Sequence, residues 1–142
     1  MQERTDTPVR ALWSAAYHGD RPTVARLIAE GVDINIWDRY GRTALSFAAE
    51  GNHLQIARDL LAAGAWVDPH EDGDVFTTPL ISAAEHGHFE MAALLLQHGA
   101  NPTHHGGTPV ATADFYGRRY SALSGLLQKA EDDWRRSHPR NP

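Results

Sequence analysis

The stretch LSFAAEGNHLQIARDLLAAGAWVD, residues 45–68, decides the fold. Its apolar residues form two short stripes, Leu45, Ala48 and Ala49, then Ile56, Ala57, Leu60 and Leu61. Spacings of three and four put each stripe on one helical face. Gly51-Asn52 separates the stripes and Gly64 closes the segment. The same pattern stands on either side, as LWSAAYHGDRPTVARLIAEGVDIN at 12–35 and LISAAEHGHFEMAALLLQHGANP at 80–102. The leading leucines Leu12, Leu45 and Leu80 are 33 and 35 residues apart, as are the closing glycines Gly31, Gly64 and Gly99. A weaker fourth copy, TPVATADFYGRRYSALSGLLQKA, occupies 108–130, with Pro109 lying 30 residues after Pro79. An unrelated helical bundle needs neither a fixed period nor glycine at equivalent points, so the chain reads as a stack of helix-turn-helix units.

Cap residues fall where this reading requires them. Thr78-Pro79 and Thr108-Pro109 each set a hydroxyl before a proline at the first helical position, where the missing N–H is harmless. Thr43 caps the helix that begins at Ala44, and Arg21-Pro22 opens the second helix of the first unit. Gly19, Asn52, Gly87 and Gly117 stand between helices and tolerate the left-handed backbone used to leave one. The alanine pairs Ala15-Ala16, Ala48-Ala49 and Ala83-Ala84 allow antiparallel helices to approach closely.

Together these residues spell a family. DRYGRTALSFAAEGNHLQIARDLLAAGAWVD (38–68), TPLISAAEHGHFEMAALLLQHGANP (78–102) and the first unit resemble the ankyrin repeat, over about residues 8–130. The resemblance implies an all-α, ankyrin-repeat solenoid of stacked antiparallel helix pairs with β-turn finger loops. It also implies a concave face built from fingers and first helices, with binding as its usual work. We expect eight or so helices in a single domain, 1–142, with units near 8–37, 38–72, 73–104 and 105–136. The last unit is degenerate and capping, and 137–142 is tail. Two departures stand out. Trp13, Ser46, Ile81 and Ala111 replace the histidine of the family's TPLH motif, and Gly51-Asn52 replaces a residue followed by glycine. His53 and His88 stand where family members carry a histidine that braces the next unit.

Both ends of a stacked array expose apolar faces unless modified. Val9, Leu12, Trp13 and Ala16 form one stripe at the first end, where Trp13 reads as core or as a partly exposed binding residue. At the other end Leu123, Leu127, Ala130 and Trp134 extend a helix to about Arg136, with Trp134 folding over the last unit. Glu131, Asp132 and Asp133, beside Arg135 and Arg136, read as a solvated face. The connections between units carry individuality. The first (31–44) has consensus length and bears Trp37, Arg39, Tyr40 and Arg42 near its tip. The second (64–79) is two residues longer and bears Asp68, Glu71, Asp72 and Asp74 with Trp66 and Phe76, while the third (99–109) is three shorter. Extra loop length is tolerated easily and collects where function is exposed, so the second finger is the most informative feature for partner choice.

Charge narrows the partners. The 142 residues carry a net charge of −5, but residues 38–107 carry −6 and residues 108–142 carry +2. An acidic centre repels a phosphate backbone and favours cationic partners, so nucleic acid is not expected. No apolar run approaches the roughly 18 residues of a membrane span, and MQERTDTPVR lacks a signal-peptide segment, so the expected address is the cytoplasm. With no cysteine, disulfides, thiolate nucleophiles and cysteine-ligated metals are excluded. The nine histidines invite a metal, yet only His18, His86, Glu50 and Glu85 converge on the concave face. Zinc needs its ligands within about 2.0–2.2 Å of one centre, whereas stacked units stand about 10 Å apart. Ser14, Ser46 and Ser82 lie on first helices and no Gly-x-Ser-x-Gly or glycine-rich phosphate loop occurs. No catalytic residue, cofactor or metal is expected.

By the family resemblance, the end of each first helix lines the concave side. Those positions read Tyr17-His18, Glu50-Gly51, Glu85-His86 and Phe115-Tyr116, a ladder with aromatic residues at its ends and two carboxylates in the middle. Tyrosine, tryptophan and arginine are the usual hot-spot residues of protein interfaces. The expected function is thus a non-enzymatic protein-binding module, monomeric before it binds, whose partner is another protein and by charge a basic one. Two alternatives stay open. One is a soluble inhibitor of immunity type that neutralises a basic enzyme or toxin. The other is a structural or self-associating assembly factor that uses Trp13 or Trp134 as an interface.

Overall fold

The computed structural model describes residues 7–68, 77–103 and 120–139, and among them every regular element is a helix. Three antiparallel pairs succeed one another: α1 (Thr7–His18) with α2 (Arg21–Ala29), α3 (Ala44–Gly51) with α4 (Leu54–Ala62), and α5 (Pro79–Glu85) with α6 (Phe89–Gln97). A seventh helix, α7 (Ser121–Ser137), packs against α6. Of the fourth unit, Thr108, Pro109, Phe115, Tyr116 and Gly117 lie outside the described residues.

The local signals act as their chemistry requires. Asp20 caps α2, accepting from the Thr23 hydroxyl at 2.6 Å and the Thr23 N–H at 3.3 Å. Those bonds hold the Asp20 carboxyl below the usual carboxylate range. Thr43 and Ser46 exchange side-chain and backbone bonds in a reciprocal capping box on α3. The Thr78 hydroxyl accepts from the Ile81 N–H at 3.0 Å, with Pro79 opening α5. Each pair then turns through one left-handed residue, Gly19 (φ 82°), Asn52 (φ 60°) or Gly87 (φ 75°). Asparagine is the non-glycine residue that enters this region most readily, because its short side chain bonds locally.

Leu12, Leu45 and Leu80 are closed to solvent, as are all three alanine pairs. Small side chains let α1, α3 and α5 approach one another more closely than α2 approaches α4. By the family resemblance this layer of first helices is the one that lines the concave side. Val24, Leu27, Ile56, Leu60, Met91 and Leu95 fill the space between layers, and Leu123 and Leu127 of α7 continue it.

Two ladders of hydrogen bonds join consecutive units. In the first, His53 Nε2 donates to the Tyr17 carbonyl at 2.8 Å, and His88 Nε2 to the Glu50 carbonyl at 3.2 Å. Each histidine braces the unit before it, which reverses the direction expected from the sequence. The reason lies in the helix start. His53 and His88 are the N-cap residues of α4 and α6, their rings make no cap bond, and they reach back to the end of the preceding first helix. Tyr120 holds the same N-cap position on α7 and sets its ring against Gly87, as His53 sets its ring against Gly19. A β-carbon on either glycine would come within 2.6 Å of that ring.

The second ladder runs along the finger bases. The Asn35 side chain accepts from the Trp66 N–H at 2.9 Å and donates to the Gly64 carbonyl at 3.2 Å. One unit on, the Asp68 carboxylate accepts from the Asn101 N–H at 2.9 and 3.2 Å. Both acceptors stand four residues after a closing glycine and both donors two residues after the next one.

The end caps come out partly as expected. Trp13 is half-buried, its ring 5.9 Å from that of Phe47, so it is both packed and accessible. Trp134 is also half-buried and stacks on His138 at 4.0 Å, beside a hollow of about 450 Å³ between α6 and α7 whose floor includes Leu96, Ala100 and Pro102. Glu131 does not belong to a solvated face. Its side chain is only 13% exposed, paired with Arg135 at 3.2 Å, and its Oε1 is buried without a hydrogen bond. The other charges of this run face water as expected: Asp132, Arg135, and Asp133 with Lys129 and Arg136.

Candidate protein-interaction surface

The first finger is built by one aspartate. Asp38 Oδ1 accepts from the N–H groups of Tyr40 and Arg42 at 2.9 and 3.0 Å, and the Asp38 carbonyl accepts from Gly41 at 3.0 Å. Gly41 sits at φ 81°, which closes the turn. This tight loop holds Arg39 and Tyr40 out in solvent, with Trp37 exposed just before it. The Arg42 guanidinium folds inward, pairs with Asp38 Oδ2 at 2.8 Å, and lies over the rings of Phe47 and Tyr40, 4.7 and 5.3 Å from their centroids. Arg42 thereby ties the finger to the concave face.

Two hollows adjoin on that face. The first, about 430 Å³, lies between α1 and α3 and is walled by Trp13, Tyr17, His18 and Phe47. Tyr17 stands edge-on to Phe47, 6.4 Å between centroids, and is 42% exposed. The second, about 190 Å³, lies between α3 and α5, with Tyr40, Thr77, Ser82, Glu85 and His86 around it. Arg42 and Glu50 line both and form their common wall. His18 and His86 are held alike, each with Nδ1 donating to the carbonyl four residues earlier at 2.9 Å, which leaves Nε2 for the groove. No ion pair among the described residues engages Glu50 or Glu85. Burial lowers the pKa of His88 just beneath, its bond to the Glu50 carbonyl works against that, and the nearby His86, its ring stacked 5.9 Å away, lowers it a little further.

Tyr17, His18, Tyr40, Arg42, Glu50, Glu85 and His86 are thus brought together, with Trp37 and Arg39 on the adjacent finger. Trp66 is half exposed at the base of the second finger. Asp68 is placed differently from the open charge the sequence indicates, since its carboxylate clamps Asn101. Glu71, Asp72, Asp74, Phe76, Phe115 and Tyr116 lie outside the described residues. Sequence reasoning passed over Phe47, the centre of the aromatic wall. A signal for it existed, because the equivalent positions after Leu12 and Leu80 are Ser14 and Ser82. Among the described residues no three acidic or histidine side chains are set to hold a metal ion, and no helix is long and apolar enough to cross a membrane.

Comparison with known proteins agrees with this architecture. Family models described as "Ankyrin repeats (many copies)" and "Ankyrin repeat" match residues 12–61 and 77–106. The chain belongs to the ankyrin-repeat family, whose repeat is a protein–protein interaction module. Similar proteins include the palmitoyltransferase ZDHHC13 of Mus musculus, 37% identical over 63% of this chain and 14% of that protein. The ankyrin repeat and SOCS box protein 16 of Mus musculus is 38% identical over 71% of this chain and 23% of its own length. The ankyrin repeat and KH domain-containing protein mask-1 of Caenorhabditis elegans is 38% identical over 66% of this chain and 4% of its own length. The chain spans a small part of the curated relatives it matches.

Proposed function

We propose that this chain binds a basic protein partner on its concave face, gripped from the side by the first two fingers and without catalysis. One observation carries the reading: two adjoining hollows run across three first helices, walled by accessible aromatic rings and by two carboxylates with no cationic partner among the described residues. Exposed aromatic side chains on a rigid layer supply contact area at little entropic cost, and unpaired acids add long-range attraction for a cation-bearing surface. The net −6 of residues 38–107 supports the same sign of partner. The second finger joins the site through Trp66, Glu71, Asp72, Asp74 and Phe76, and the fourth unit through Phe115 and Tyr116.

The test is affinity capture from the native cell extract with the wild-type chain and with Tyr17→Ala/Tyr40→Ala, followed by kinetics on the purified partner. A partner retained by the wild type and lost by the double variant supports the reading. Equal capture by both removes it. Changing Glu71, Asp72 and Asp74 to amides should slow association at low salt and leave dissociation nearly unchanged, because steering acts on encounter. The acidity also favours one particular outcome, that the partner is a basic enzyme or toxin whose activity falls when it is bound; assaying the captured protein with and without this chain decides that.

A further inference from the structure

We infer that the groove reads a two-part motif in its partner: one large apolar side chain and, within about four residues of it, one basic side chain. The inference rests on the concave-face reading above and goes on to say which hollow takes which group. The hollow between α1 and α3 is aromatic on three sides, from Trp13, Tyr17 and Phe47, and its cation Arg42 is already neutralised by Asp38. An apolar group seated against those three rings displaces water from ring faces, which is favourable, and the polar lining of Ser14, His18 and Glu50 confines it to the aromatic side of the hollow.

The hollow between α3 and α5 has the opposite character: Arg42 lines it too, again neutralised by Asp38, and its other charged groups are carboxylates. Glu50 and Glu85 occupy the same register on successive first helices, five residues after Leu45 and Leu80, and both open onto it. Ser82 and Thr77 share a hydroxyl contact at 3.2 Å on its wall and offer further acceptors. Two carboxylates facing one small space repel each other, and a cation placed between them removes that repulsion while pairing with both. Arginine suits such a site best, because its planar fork of five donors can reach acids on two different helices at once. Glu50 lines both hollows. The two recognition elements therefore stand side by side, close enough for one short segment of a partner to satisfy both.

The experiment selects binders to the full-length chain from a random library of 12-residue peptides and measures the winners by fluorescence titration. We expect enriched peptides to carry arginine or lysine within four positions of Leu, Ile, Phe or Trp. We expect Glu50→Gln/Glu85→Gln to weaken them at least tenfold, and Phe47→Ser, which installs the residue of the neighbouring units, to weaken them at least fivefold. Both variants are first shown to keep the wild-type helical dichroism and unfolding midpoint; if the double variant loses its fold, the single changes Glu50→Gln and Glu85→Gln replace it. Peptides without basic enrichment, or peptides that lose affinity to Phe47→Ser alone, overturn the two-part motif and leave the concave-face reading standing. A library that yields no binder has the same consequence. Peptides insensitive to every one of these substitutions overturn both.

Discussion

The His53 imidazole donates to the backbone carbonyl of Tyr17, 36 residues earlier in the chain, at 2.8 Å. That bond joins the helix pair of one unit to the end of the first helix in the unit before it. It also explains why Gly51 is glycine. Gly51 has an ordinary helical backbone, so no left-handed conformation calls for it. What it provides is space, because a β-carbon there would run into the Tyr17 carbonyl and come within 2.7 Å of the His53 ring.

A pair of glycine substitutions separates space from conformation. Alanine is favoured over glycine in a helix by about 1 kcal/mol, yet overpacking typically costs about 1–3 kcal/mol. Gly51→Ala should therefore lower stability, by up to about 2 kcal/mol. Gly125 lies inside α7 with nothing near its missing side chain. Gly125→Ala should raise stability by about 0.5–1 kcal/mol. Urea unfolding of both variants checks the pair, and a gain at Gly51 would show that the Tyr17 carbonyl and the His53 ring both give way freely.

What the sequence made legible was local. The period of Leu12, Leu45 and Leu80, the threonine caps and the left-handed Gly19, Asn52 and Gly87 all act within one turn of where they stand. The long-range partners were not legible in the same way. Nothing near Asp68 in the chain marks it as an acceptor for Asn101, 33 residues on, and among Glu71, Asp72 and Asp74 it looks like one more finger charge. The direction of the His53 and His88 bonds depends on which neighbour a helix start faces, which only the stacking decides. Phe47 was hidden for a related reason, since a phenylalanine beside an apolar stripe reads as core until the curvature turns it outward. Glu131 looked solvated by company, being one acid in a charged run, yet helix rotation sets its side chain against the protein.

The Asp68 clamp gives a second test. Removing an acceptor leaves a partly buried N–H unsatisfied, at a cost of about 1–3 kcal/mol. Asp68→Ala should lower stability by that amount, whereas Asp68→Asn keeps an acceptor, as Asn35 does one unit earlier, and should cost less than half as much. Equal losses in the two variants would mean that the charge itself, rather than the bond to Asn101, is what position 68 supplies.

Trp134 gives a third. Truncating a fully buried large aromatic to alanine costs about 3–5 kcal/mol. Trp134 is half-buried against His138 and the floor between α6 and α7, so Trp134→Ala should lower stability by roughly half that figure, about 2 kcal/mol, and promote aggregation. A midpoint in urea that does not move would mark the ring as free for a partner and favour the self-association reading.

The fourth concerns acid. Burial holds the pKa of His88 below 6.5, against the opposing pull of its bond to the Glu50 carbonyl, with the neighbouring His86 lowering it a little further. The unfolded chain takes up this proton more readily than the folded one, so the unfolded state binds more protons as pH falls through and below 6.5. The contribution of His88 to stability is thus complete above that value and is lost progressively on acidification, towards the lower pKa of the folded state. A charged ring keeps its bond to the Glu50 carbonyl but is penalised by burial, so acid should favour opening of the junction between α3 and α6 to water. Replacing His88 by glutamine, which still donates but does not titrate, should flatten the pH dependence of the urea midpoint between about pH 7 and 5. Because Glu50 also walls both hollows, the wild type should lose partner affinity over the same window more steeply than His88→Gln does. If the two proteins show parallel stability profiles, the imidazole at position 88 titrates alike in the folded and unfolded chains, and the pH sensitivity belongs to other histidines.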